Sequence, residues 1–186
     1  MTSNECVVAV VDALNAARLP YMLVGSYSSN YYGVARATRD ADFVVQARPQ
    51  DVIAAFGSLK DTVSLEPQAS FETVTGTFRH VGRVVGGPFK VELFYLSDDP
   101  HDRERFARRR VVESLGRQIY IPSPEDVIIT KLRWAALANR SKDLSDATKV
   151  IQTQQALLDW GYVESWCERH GSHQLLDQLR REMSSG

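Results

Sequence analysis

Cysteine is nearly absent: Cys6 and Cys167 are the two in 186 residues. Two thiols cannot build the disulfide framework of a small secreted scaffold, so the chain must be held by an ordinary core, and a reducing cytoplasm is the expected setting. Long apolar runs are missing as well. Nothing approaches the ~20 residues that cross a bilayer. The first residues carry Glu5 and Asp12 and lack the basic stretch of a secretory leader, so we expect neither a membrane span nor a signal segment. Net charge is close to nil, −1 from 22 Lys and Arg against 23 Asp and Glu. A tight, sequence-blind nucleic-acid binder would usually be more basic. The Gly-x-x-x-x-Gly-Lys phosphate loop, the Gly-x-Ser-x-Gly elbow and His-Glu-x-x-His do not occur. Nor does any internal repeat or low-complexity tract.

What is present is an ordinary globular composition, 44% apolar and 24% charged, long enough for one core and a small appendage. Residues 3–18 read as an amphipathic helix with Ser3 as N-cap and Val7, Val10, Val11 and Leu14 as its stripe. Pro49 opens a helix to about Leu59 with Val52, Ile53 and Phe56 inward. Strands are expected over Thr73–Val81 and Phe89–Leu96, divided by the turn-rich Gly82–Pro88. A charged helix over Asp98–Arg110 and a hairpin over Val111–Ile121, turning at Gly116, follow. From Ser123 the pattern is helical, with breaks near Asn139–Ser141, Gly161 and Gly171. The expected organisation is an α/β core over residues 1–122, a mixed sheet flanked by helices, with a C-terminal helical portion over 123–186 packed on it.

The stretch Tyr21–Gln46 organises the rest. An apolar run, Tyr21–Val24, stops at Gly25-Ser26, and a second run, Phe43–Val45, begins just after Asp40 and Asp42. Residues two apart on a strand point the same way, so both carboxylates leave one face while Ala41, Phe43 and Val45 take the other. Two neighbouring acids repel, and a cation between them relieves that. Oxygen ligands suit Mg²⁺, which is commonly shared with substrate phosphates. A helix starting at Ser26 offers free N–H groups and a hydroxyl to a phosphate. Metal and phosphate together point to nucleotide chemistry.

Gly25-Ser26 followed by Asp40-Ala41-Asp42 resembles the signature of the DNA polymerase β-like nucleotidyltransferase superfamily. The wording Arg36-Ala37-Thr38-Arg39-Asp40-Ala41-Asp42 is similar to the Arg-x-Thr-x-Asp-x-Asp of its minimal, AbiEii-like toxin/antitoxin branch. The resemblance implies a third acid on a later apolar strand, where Lys90-Val-Glu92-Leu-Phe-Tyr95 stands, although many relatives carry Asp there. It also covers Ser123-Pro-Glu-Asp-Val-Ile-Ile-Thr-Lys131 and Arg140-Ser-Lys-Asp143-Leu-Ser-Asp146, so the matches span residues 23 to 146. What it implies is a metal-dependent nucleotidyltransferase that uses an NTP such as ATP and two Mg²⁺ ions. Asp40, Asp42 and Glu92 are then catalytic metal ligands, with Glu92 helping to deprotonate the acceptor. Gly25, Ser26, Arg36, Thr38 and Lys131 are the expected nucleotide contacts. The plain alternatives are a capping Ser26, a boundary Lys131, and a Glu92 in a salt bridge with Lys90 or an arginine.

Three functions stay open: transfer to RNA (a tRNA end, for example) or protein with a cognate toxin or antitoxin partner; transfer to a small molecule such as an aminoglycoside; or a silent nucleotide-binding, antitoxin-like partner. Arg103, Arg105, Arg108, Arg109 and Arg110 form the one dense basic run, either a solvated helix face or a platform for RNA or an acidic partner protein. Cys167, His170 and His173 lack an evident fourth ligand and are not read as a zinc site.

Overall fold

The N-terminal helix is set by its first four residues. In the computed structural model, which describes residues 1–73 and 75–184, α1 spans Ser3–Ala16. Its cap is Thr2, not Ser3: the Thr2 hydroxyl accepts from the Glu5 N–H while the Glu5 carboxylate accepts from the Thr2 N–H. That reciprocal box needs an acid three residues after the cap. Thr2 has one; Ser3 would have Cys6.

Then follow β1 (Tyr21–Val24), α2 (Gly25–Tyr32), β2 (Asp40–Val45) and α3 (Pro49–Phe56), which ends in a 3-10 turn at Gly57–Leu59. Four strands come next, β3 (Val63–Leu65), β4 (Ser70–Glu72), β5 (Thr77–Val84) and β6 (Lys90–Tyr95). The chain continues through α4 (Pro100–Ala107), the hairpin β7 (Arg110–Ser114) and β8 (Arg117–Ile121), and then α5 (Pro124–Ala138), α6 (Ser141–Gln154), α7 (Trp160–Arg169) and α8 (His173–Ser184). The sheet order is β1-β2-β6-β5-β3, with β4 also on β5. Among the described residues only β2 and β6 pair in parallel; β1, β3, β4 and β5 join antiparallel. The expected mixed sheet with helices is therefore present.

Two compact units emerge, Met1–Tyr27 with Ala37–Pro122, and Ser28–Arg36 with Ser123–Gly186. In the first, the sheet face bearing Phe43, Val45, Val91 and Leu93 is buried. Phe56 of α3 lies on this face, 3.8 Å from where a Cβ on Gly82 would stand. The opposite face packs Met22, Val24, Val44 and Phe94 against Phe106 of α4 and Tyr120 of β8. In the second unit α5 is the hub, with Ile128, Ile129 and Leu132 fully buried alongside Val150 and Ile151 of α6, Val163 of α7 and Leu176 of α8.

Two local expectations need correcting. Ile53 is 46% exposed while Val52 and Phe56, one turn apart, carry the inward face of α3. Gly82 is not a turn residue: β5 runs through it, and a Cβ there would stand 2.9 Å from Val63 Cγ1, so glycine lets β3 approach. The turn falls at Gly86 and Gly87, and Val74, inside the strand expected over 73–81, lies outside the described residues. The break expected near Gly161 falls just before α7, whose N-cap is Asp159. Among the described residues no helix is long and apolar enough to cross a membrane.

Candidate active site

Alternation along the paired strands decides which side chains meet. Register pairs Val24 with Asp42, Asp42 with Glu92, and Glu92 with Val81. One face of the first unit's sheet thus carries Met22, Val44 and Phe94 toward one end, and Asp40, Asp42, Lys90 and Glu92 toward the other. The apolar half packs on α4; the acidic half is half-buried. Thr38 donates to Asp40 Oδ1 at 2.9 Å and fixes that carboxylate. Glu92 Oε1 meets Arg79 Nη1 at 3.2 Å and Lys90 Nζ at 3.6 Å.

Arg79 is the residue sequence reasoning missed, although the signal existed. It stands two positions from Val81 on β5, hence on Glu92's face and diagonal to it. Its ring contact, 5.7 Å above Phe94, follows from the same register.

The Gly25-Ser26 turn stands against these acids. Gly25 has φ +63°, and a Cβ there would fall 2.2 Å from Asp42 Oδ2. No other residue type fits: the backbone is left-handed and the space belongs to a carboxylate. Ser26, 6% exposed, then enters α2, whose first turn holds no acid. Its N-terminal partial positive charge is therefore not offset by its own first turn. The donor set, carboxylate oxygens on one face beside a glycine cleft, suits Mg²⁺ in kind. Among the described residues no three His, Cys, Asp or Glu side chains converge to hold an ion as they stand; Glu92 is turned to Arg79 and Lys90.

The profile of the family described as nucleotidyl transferase AbiEii toxin, type IV toxin–antitoxin system, matches residues 16–184. The chain belongs to this family. A comparison with curated proteins returns no match. Among solved structures, the AbiEii chain is similar to ANT(2")-Ia in complex with adenylyl-2"-tobramycin, at 14% identity, TM-score 0.64, and coverage of 93% of this chain and 99% of that one. An antigenic nucleotidyltransferase-like protein from Paracoccidioides brasiliensis gives 16%, 0.60, 98% and 90%. The lincosamide antibiotic adenylyltransferase LnuA, lincomycin-bound, gives 16%, 0.53, 81% and 96%. At such identities these likenesses show the fold, the DNA polymerase β-like nucleotidyltransferase fold. Family and fold together make this AbiEii protein a nucleotidyltransferase.

Arg36 and Lys131 belong to the second unit, where carboxylates engage both. Arg36 makes a bidentate pair with Asp146, Nε to Oδ1 at 2.9 Å and Nη2 to Oδ2 at 2.7 Å. Asn30 brackets the Arg36 backbone from both sides. Lys131, 5% exposed, donates to Asp143 at 2.7 Å and lies 3.0 Å from Asp146. Two cations thus meet two anions in a buried network, the arrangement that makes buried charge tolerable. Burial alone would raise the Asp146 pKa, but hydrogen bonds from Arg36 and the charge of Lys131 outweigh it and hold the carboxyl at about 2.

The basic run is largely spoken for. Arg103 pairs with Asp98, Arg105 is buried and pairs with Asp102 at 2.9 Å, and Arg109 stacks 4.3 Å over Phe106. Cys167 is fully buried, and burial pushes its thiol up to about 11.

Two outcomes follow from this geometry. Gly25→Ala should cost about 1–2 kcal/mol through its positive φ and displace the Asp42 carboxylate, cutting turnover at least tenfold; denaturant unfolding and an NTP-consumption assay read the two effects separately. Asp146 has its folded pKa below the unfolded value, so its contribution is present above about pH 4 and is lost as pH falls toward 2. We expect on the order of 2 kcal/mol of stability to disappear across that window. Denaturant titrations at stepped pH should show this slope in wild type and a flattened one in Asp146→Asn.

Proposed function

We propose that this enzyme moves a nucleoside monophosphate from an NTP to a hydroxyl of RNA or protein, releasing pyrophosphate, and that it depends on Mg²⁺. The observation that supports this most is the register that sets Asp42 beside Glu92, with Asp40 on the same face, against the Gly25-Ser26 turn. Asp40, Asp42 and Glu92 would hold Mg²⁺, two ions in the full arrangement, and the bound metal supplies positive charge to the attacking and leaving oxygens. Ser26 and the first N–H groups of α2 take the β- or γ-phosphate. Thr38 keeps Asp40 oriented. The acceptor oxygen bonds to the α-phosphorus as the bond to the β-phosphate oxygen breaks, and the hydroxyl proton passes to Glu92.

Arg36 and Lys131 are matched by Asp143 and Asp146, so a triphosphate drawing on either has to compete with those carboxylates. We assign the pair to holding the helices of the second unit together. A cognate antitoxin and a cytoplasmic setting complete the reading, on the family and on two buried free thiols. A second reading, a small-molecule acceptor, is favoured by the internal pairing of the Arg103–Arg110 run, which leaves less of it for RNA.

Asp42→Asn removes one anionic oxygen with almost no change in shape. Pyrophosphate release should fall roughly a thousandfold, with wild-type circular dichroism and melting temperature. A variant that turns over at the wild-type rate rules the mechanism out.

A further inference from the structure

Glu92 is held by the wrong kind of cation for its proposed role. Arg79 and Lys90 both engage one oxygen, Oε1, at 3.2 and 3.6 Å, and among the described residues no donor engages Oε2. Glu92 is 12% exposed and Arg79 29%, so this is a partly desolvated pair in which charge counts for more than at the open surface. Arg79 also carries a cost where it stands: its Nε–H is buried without a hydrogen-bond partner, and an unmet buried donor is unfavourable. Among the described residues no three acids converge on this face to hold an ion, and Glu92, the third acid, faces the guanidinium.

We propose that Arg79 is an internal counter-cation for Glu92, a positioning residue that competes with the divalent metal for this carboxylate and gives it up when the metal binds. The inference rests on the reading of Asp40, Asp42 and Glu92 as metal ligands. Its physical content is an exchange: one ion pair and one unmet N–H are given up, and a carboxylate is freed to join Asp42. Arg79 thereby lowers the metal affinity of the resting protein and neutralises the crowded acids while no metal is present. Lys90, farther from Oε1 and 36% exposed, contributes less to the competition.

The test is Mn²⁺ titration of the purified protein without nucleotide, followed by electron paramagnetic resonance of the free ion. Arg79→Met keeps the length and the Phe94 contact while removing the charge; it should tighten Mn²⁺ on the order of tenfold. Arg79→Lys should stay within about threefold of wild type. Placed in a Glu92→Gln background, Arg79→Met should have no effect, because the competed ligand is gone. Melting curves confirm that each variant is folded, and Arg79→Gln replaces Arg79→Met if that variant is not. Unchanged or weaker Mn²⁺ binding in Arg79→Met, with binding still dependent on Asp42, overturns the competition alone. So does tightening that persists in the Glu92→Gln background, which would mean charge acting through space. Wild-type protein with no Asp42-dependent Mn²⁺ site overturns the reading of the acids as well.

Discussion

The chemistry proposed for the first unit depends on crowding like charges at one end of one sheet face. Asp40, Asp42 and Glu92 share that face because β2 and β6 run parallel with Asp42 opposite Glu92. A one-residue slip in either strand would send its acids to the buried face with Phe43 and Leu93. The apolar half of each strand enforces the register: Val44 and Phe94 must meet Phe106, and Phe43 must stay inside. The core thus pins the acids in place, and their repulsion is met locally by Thr38, Lys90 and Arg79.

Glycine supplies the other constraint. Gly25 brings the start of α2 so close to Asp42 that a single methyl would collide with the carboxylate. A phosphate bound at that helix terminus and a cation bound at the acids would therefore be neighbours, as a metal–triphosphate complex requires. The second unit uses charge differently. Arg36, Lys131, Asp143 and Asp146 neutralise one another within a helical core, and a buried cation stripped of its partner there would be costly.

The acids were legible because strand alternation is a local rule: Asp40-Ala41-Asp42 ahead of Phe43 states its faces without knowledge of any partner. So was the Gly25-Ser26 stop, and so were the hairpin at Gly116 and the helical C-terminal third. Pairings across distance were not. Arg36 and Asp146 are separated by 110 positions, and nothing near either residue announces the other. Arg79 lay inside the expected strand over Thr73–Val81, but its place beside Phe94 and diagonal to Glu92 is set by the β5–β6 register, a pairing across distance. Gly82 was taken for a turn, whereas the close approach of Val63 is what that glycine serves. Ile53 was misassigned because α3 is only two turns long, and two side chains suffice to anchor it.

In the proposed function the acid face and the Gly25-Ser26 turn form one site for an NTP and its metal. Calorimetric titration of each NTP, with and without Mg²⁺, on wild type and on the Asp40→Asn/Asp42→Asn double variant addresses it most directly. We predict Mg²⁺-dependent binding of at least one NTP to wild type, abolished in the folded double variant. Undiminished binding in the double variant, or no binding of any NTP to wild type, would contradict it.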